Sequence, residues 1–241
     1  MGEQRGEETG EVAAFCSDRR CSEMTKRSGR YDTSHLLEDQ TEPGSRGRVL
    51  KNSLGIKNKR EMDRTEATEY VRALSKLVKT YGQNHRFTAV DICKIHQVWL
   101  GAVYLWAGKY RQVNLAKGQF PFAPAREIPR LMLEFEQGPL RQFTPCRFKS
   151  DQEIAKALAI THAELVLIHP FREGNGRTAR LLTLLMALQA GLPALDFGGV
   201  TGRKRKEYFS AVQVALSGDY EPMSKIFRDV LSRTHRVVGG R

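Results

Sequence analysis

His169-Pro170-Phe171-Arg172-Glu173-Gly174-Asn175-Gly176-Arg177-Thr178-Ala179-Arg180 is the stretch on which the reading of this chain turns. It places an imidazole, a carboxylate, two glycines around an asparagine, and two arginines three residues apart within twelve positions. Upstream, residues 154–168 contain no helix breaker and are mostly apolar. This predicts a buried helix ending near His169-Pro170, because the residue before a proline is pushed out of the helical region. Downstream, Thr178 to Ala190 is leucine-rich and is followed by Gly191 and Pro193, which read as stop signals. A short polar loop therefore joins two helices, the second starting around Asn175-Gly176-Arg177.

That junction predicts an anion site. The first N–H groups of a helix have no intrahelical partner and carry partial positive charge. Gly174 and Gly176 offer no Cβ against an approaching phosphate. Asn175 adds a side-chain donor, and Arg177 and Arg180 share a helix face from which both can clamp further phosphate oxygens. Glu173 beside an anion site makes sense as a ligand of Mg²⁺, which binds one or two carboxylates together with substrate phosphates. His169, with an ordinary imidazole pKa of about 6.5, suits removal of a proton from a hydroxyl. Phe171 reads as the anchor of the loop in the core. Together these groups indicate nucleotidyl or phosphoryl transfer to a hydroxyl.

Working outward, Thr88 to Trp106 reads as a helix with Thr88 as N-cap and Asp91 three residues on. Helices are also expected over 61–80, 126–137, 207–217 and 222–233. Lys109 to Phe122 breaks the pattern, and Tyr110, Val113, Phe120 and Phe122 around Lys117-Gly118 suggest a short hairpin. Phe120 and Phe122 either contact a target or pack on the core. His162, seven residues before His169, reads as structural rather than as half of a metal pair. Residues 1 to about 30 are rich in Gly, Glu, Arg and Ser and read as poorly ordered.

The chain has 241 residues, 40% of them hydrophobic, enough for one sizeable core. Cys16, Cys21, Cys93 and Cys146 show neither metal spacing nor a dense disulfide framework. No apolar run is long enough to cross a membrane and the start shows no signal-peptide core, so the expected location is the cytoplasm. The formal charge of +12 raises nucleic-acid binding, with Arg203-Lys204-Arg205-Lys206 as the densest run. No aromatic interleaving accompanies that run, which favours a solvated loop or a surface for an acidic protein over nucleic acid.

The run 169–180 resembles the signature of Fic-domain proteins, His-x-Phe-x-Asp/Glu-Gly-Asn-Gly-Arg-x-x-Arg, with each specified position filled. Val98 to Arg111 is similar to the helix entering that family's hairpin flap, and Gln112 to Ala123 to the flap itself. The stretches Arg48–Ile56 and Gly218–Pro222 also resemble the family. The resemblance implies an all-α, Fic-type helical bundle with a small β-hairpin flap. It divides the chain into a lead-in (1–47), a catalytic domain (48–233) and a C-terminal tail (234–241).

The implied activity is transfer of AMP from ATP, with Mg²⁺, to a Ser, Thr or Tyr hydroxyl of a protein. His169 would be the base and Glu173 the metal ligand. Gly174, Asn175 and Gly176 would hold the α- and β-phosphates, Arg177 the β/γ-phosphates and Arg180 the γ-phosphate. Lys117, Gly118, Gln119 and Phe120 would form the target-binding part of the flap. Phosphorylating relatives carry lysine at the second glycine position, so Gly176 favours AMP transfer. Many relatives carry an inhibitory Ser/Thr-x-x-x-Glu followed by Gly or Asn. Ser34 to Glu38, followed by Asp39, and Thr65 to Glu69, followed by Tyr70, both fail to complete that pattern. The resemblance thus points to a bacterial toxin restrained by a small antitoxin protein, with a type II topoisomerase subunit as a reasonable target.

Overall fold

The computed structural model describes residues 33–198 and 203–239, so the segment before 33, with Cys16 and Cys21, lies outside the described residues. Helix α1 is Lys59–Thr80 and α2 is Ala89–Leu100. A two-stranded hairpin follows, β1 at Ala116–Lys117 and β2 at Phe120–Pro121. Helix α3, Ile128–Phe135, continues through a π-helical turn at Glu136–Leu140 into the short α4, Arg141–Phe143. The chain then forms α5 (Asp151–Ile168), α6 (Asn175–Gln189), α7 (Arg203–Ala215) and α8 (Glu221–Gly239). This is the all-α bundle with a small hairpin that the sequence led us to expect. Among the described residues, no helix is long and apolar enough to cross a membrane.

Helix α5 is the hub. It packs against α3, α6, α7 and α8, and Ala155, Ala157, Leu158, Ala159, Ala163 and Leu165 are wholly buried. Its small alanines allow neighbouring helices to approach from several sides. The start of α5 is set by a reciprocal capping box: the Ser150 hydroxyl accepts from Glu153 N–H, and the Glu153 carboxylate accepts from Ser150 N–H. Thr88 and Asp91 form the same device at α2, as their spacing predicted.

Three boundaries differ from the sequence expectation. Helix α2 stops at Leu100 rather than Trp106, and 101–107 runs in turns instead. Those turns stack the Tyr104 and Trp106 rings, with centroids 4.5 Å apart, and bring the Tyr104 hydroxyl 2.8 Å from Glu66 Oε1. Burial of two large aromatics outweighs the local helical pattern there. Helix α8 extends through Gly239, carried past 233 by buried Thr234, whose hydroxyl bonds Val230 O and Asp196 N–H. The run Arg203–Lys206 opens α7 rather than lying in a loop, and Lys204 approaches Asp229 at 3.8 Å. Residues 33–47, assigned to the lead-in by sequence, are packed: Glu38 is buried in a 3₁₀ turn, Leu37–Asp39, and Thr41 pairs with Leu50.

Candidate active site at the junction of α5 and α6

His169 ends α5 in the left-handed region, with φ 53° and ψ 57°. A non-glycine residue there is uncommon and costs on the order of 1 kcal/mol or more, so surrounding contacts must enforce it. Its N–H bonds Leu165 O at 3.1 Å, and Arg111 Nε donates to its carbonyl at 2.7 Å. Nδ1 lies 2.9 Å from Val166 O. A carbonyl can only accept, so Nδ1 carries the hydrogen and Nε2 keeps a lone pair. Burial holds the imidazole well below its ordinary pKa, at about 4; the Val166 bond raises it and the Arg111 charge lowers it. The ring is therefore neutral at physiological pH, and its basic nitrogen has no hydrogen-bond partner among the described residues.

Helix α6 begins at Asn175 behind Gly174, and no side chain caps it. The Asn175 side chain, expected from the sequence to donate to an anion, is engaged elsewhere. Asn175 is 2% exposed, its Oδ1 accepts from Phe171 N–H at 2.8 Å, and its Nδ2 donates to Phe171 O at 2.7 Å. Both ends of the amide are engaged in folding the loop onto buried Phe171. What Asn175 can offer an anion is its main-chain N–H, with those of Gly176 and Arg177 in the same uncapped turn.

The two glycines also differ. Gly174 has φ +84°, and a Cβ there would come 2.7 Å from the Trp99 ring, so its openness accommodates tryptophan rather than a ligand. A Cβ on Gly176 would meet nothing within 4 Å, which leaves its approach open.

The Glu173 side chain is 47% exposed. Its Oε1 accepts from Gly174 N–H at 3.0 Å and Arg177 Nη2 at 3.1 Å, while Oε2 has no partner among the described residues. Its carbonyl is pinned by a residue whose role the sequence did not disclose. His96 Nδ1 accepts from Gly108 N–H at 2.8 Å, so Nε2 carries the hydrogen and donates to Glu173 O at 3.0 Å. The His96 ring stacks on Phe171 at 3.9 Å, and complete burial lowers its pKa to about 4. The buried histidine thus acts as a neutral strut under the loop.

Arg177 is held from a distant helix. Its Nη1 meets Glu66 Oε2 at 2.6 Å, and its guanidinium lies 4.6 Å from the Trp99 ring centroid. Glu66 of α1 is 2% exposed and also accepts from Tyr104. Arg180 has no carboxylate partner among the described residues and lies 6.0 Å from the Phe197 ring. The glutamates of the two Ser/Thr-x-x-x-Glu segments are bonded elsewhere. Glu69 pairs with Arg72, and Glu38 accepts from the amides of Gln112 and Val113. Buried His162 bonds the Tyr208 hydroxyl at 2.8 Å, a structural contact.

The hairpin pairs Ala116 with Pro121 and Lys117 with Phe120, and Gly118 supplies the positive φ of its turn. Gln119 is exposed at the tip. Phe122 stacks face to face on His169 with centroids 3.5 Å apart, and Phe120 meets Phe122 edge-on. Lys117 Nζ sits 3.3 Å above the Phe209 ring of α7. The hairpin therefore crosses the site from α5 to α7, with its exposed edge outward.

Comparison with known proteins agrees with this geometry. Residues 86–187 match the model of the Fic/DOC family. The chain is 33% identical over 181 residues to the protein adenylyltransferase VbhT of Bartonella schoenbuchensis, covering 75% of this chain and 36% of that protein. It is also 33% identical over 142 residues to the protein adenylyltransferase fic-1 of Caenorhabditis briggsae, covering 58% and 26%. The chain thus spans about a quarter to a third of these relatives. The ADP-bound N-terminal Fic domain of a VirB-translocated Bep effector from Bartonella quintana superposes with a TM-score of 0.64 at 27% identity, covering 81% of this chain and 95% of that one. BepC of Bartonella tribocorum, solved with AMPPNP, has the same fold, with a TM-score of 0.64 at 24% identity over 81% and 97% of the two chains. The motif, the bundle around it and these relatives identify a Fic/DOC-family domain in this chain.

Proposed function

We propose that this chain transfers AMP from ATP to a hydroxyl of a protein. The observation that carries the reading is a bare Nε2 on neutral His169 beside the uncapped N-terminus of α6. The three free N–H groups of α6 hold the phosphates, and Arg177 and Arg180 bind their outer oxygens. Nε2 takes the proton of a Ser, Thr or Tyr hydroxyl. The freed oxygen attacks the α-phosphorus, a new P–O bond forms, and the bond to the β-phosphate breaks as pyrophosphate leaves.

Mg²⁺ fits here: Glu173 Oε2 is free, and no group of three or more His, Cys, Asp or Glu among the described residues is arranged to hold a metal by itself. Such a site suits a cation shared between one carboxylate and the phosphates, whose charge it would neutralise. The exposed edge of the 116–121 hairpin supports acceptor binding by strand addition. Relatives named adenylyltransferases support the donor chemistry.

The same reading takes the chain as a cytoplasmic toxin with a type II topoisomerase subunit as first candidate acceptor. That Arg180 meets none of the described carboxylates supports restraint by a separate antitoxin protein. Incubation with Mg²⁺, lysate proteins and labelled ATP tests the reaction. Protein label from the α-phosphate is expected; label from the γ-phosphate instead would make the chain a kinase.

A further inference from the structure

Arg111 is 2% exposed, and its guanidinium bonds carbonyls of two functional segments. Nη1 donates to Val113 O and Nη2 to Ala123 O, both at 2.6 Å; these are the two stems of the hairpin. Nε donates to His169 O at 2.7 Å, Nη2 also reaches Ile168 O at 3.5 Å, and the Arg111 N–H donates to Pro170 O at 2.8 Å. One side chain thus ties both feet of the flap to the turn that carries the base. The countercharge comes from Glu38, whose Oε1 accepts from Gln112 N–H at 2.6 Å and Val113 N–H at 3.2 Å. Asp39 adds an ion pair to Arg172 at 3.4 Å. The 33–42 strap therefore grips the flap base and the loop after His169 together.

Buried charges give weak net stability compared with apolar packing of the same volume, and Glu38 balances Arg111 through the field rather than through a direct bond. What it supplies is direction, since a planar guanidinium fixes several carbonyls in one geometry. The carbonyls fixed here belong to the two segments whose separation sets the distance from an acceptor hydroxyl to Nε2. We propose that Glu38, acting through Arg111 and the amides of Gln112 and Val113, is a positioning residue that sets the offset of the flap from His169. The strap is then part of the transfer machinery although it touches no substrate. This rests on the reading of 112–123 as the acceptor-presenting flap.

Hydrogen exchange and kinetics on the full chain test it. In Glu38→Ala, the amides of Arg111 and Phe122 should exchange at least about tenfold faster, with those of α6 unchanged. AMP transfer to the lysate protein that the wild-type chain labels should fall about 10- to 100-fold in kcat/KM for that acceptor, as expected for a misplacement of about 1 Å. Calorimetric ATP affinity should stay within about twofold, because the bonds of Glu38 go to the amides of Gln112 and Val113 and not to the α6 N-terminus. Glu38→Gln, which keeps an oxygen for both amides, should restore most of the flap protection. Unchanged flap exchange in Glu38→Ala overturns the proposal. So does an equal loss of ATP affinity and transfer, which would make Glu38 a general structural residue. If the wild-type chain transfers no AMP at all, the reaction reading fails, and the exchange pattern still decides whether Glu38 holds the flap.

Discussion

The loop 169–177 and the hairpin 112–122 face each other, and they are built in opposite ways. The loop is fastened from several sides: His96 holds the Glu173 carbonyl, Asn175 holds both polar groups of Phe171, and Glu66 holds Arg177. The hairpin has strands of two residues and an exposed tip, and among the described residues it is held at its feet, at Phe122 and at Lys117. A site for one invariant ligand gains from preorganisation, whereas an edge that must accept varied protein backbones gains from exposure. The contrast implies that changes in the loop should damage chemistry or stability, and changes in the hairpin should act on the acceptor.

His169→Ala is expected to have the largest effect. Removing the proposed base should lower the transfer rate about 10²- to 10⁴-fold with little change in ATP affinity, read by label transfer and calorimetry. Equal losses in rate and affinity would show that His169 binds rather than reacts. Gly174→Ala comes next. It forces a Cβ against Trp99 at a positive φ, and should lower stability by about 2–3 kcal/mol in denaturant titration. Gly176→Ala, inside α6 with no described atom within 4 Å of its Cβ, should leave stability unchanged or raise it by up to about 1 kcal/mol while weakening ATP binding. If the two glycines behave alike, the difference drawn between them is wrong.

Acid should act on the loop side. Burial depresses the pKa of His96, His162 and His169 from 6.5 to about 4, 3 and 4. Below about pH 6.5 the unfolded chain takes up protons at these rings that the folded chain refuses. Their contribution to stability is therefore complete above 6.5 and is lost as pH falls toward 4, by up to about 1.4 kcal/mol per ring per pH unit. Melting temperature should drop across that window, and His162→Gln should shallow the slope. For the same reason the acid limb of transfer should lie below the ordinary histidine value; a limb at 6.5 would place the working imidazole in water. The smallest effect is expected at the flap: Lys117→Ala removes a cation–π contact worth about 0.5–1 kcal/mol. Acceptor KM should move a few-fold, with ATP affinity unchanged.

The parts of this site that could be read from the sequence are local. The end of α5, the start of α6, the cap Thr88–Asp91, and the placement of His169, Glu173 and Arg177 around one loop depend on residues within a few positions of each other. The hairpin at 116–121 was also legible, from alternating aromatics around Lys117-Gly118. The partners that hold these groups were not. Glu66 meets Arg177 across 111 residues, Arg111 meets His169 across 58, and Glu38 meets the Gln112 amide across 74. On a sequence, Glu66 is one more acidic residue on a polar helix face and Glu38 one more in a loop.

The sequence by itself therefore determined where an anion-binding helix terminus lies, because His169, Glu173, Gly176 and the two arginines sit at fixed spacing along one loop and one helix start. Only the tertiary structure decided how that site is held. It turned Asn175 inward and gave the Cβ space of Gly174 to Trp99. It left His169 neutral and stacked beneath Phe122. Those outcomes depend on burial and on contacts between helices that only packing brings together, which no local spacing encodes.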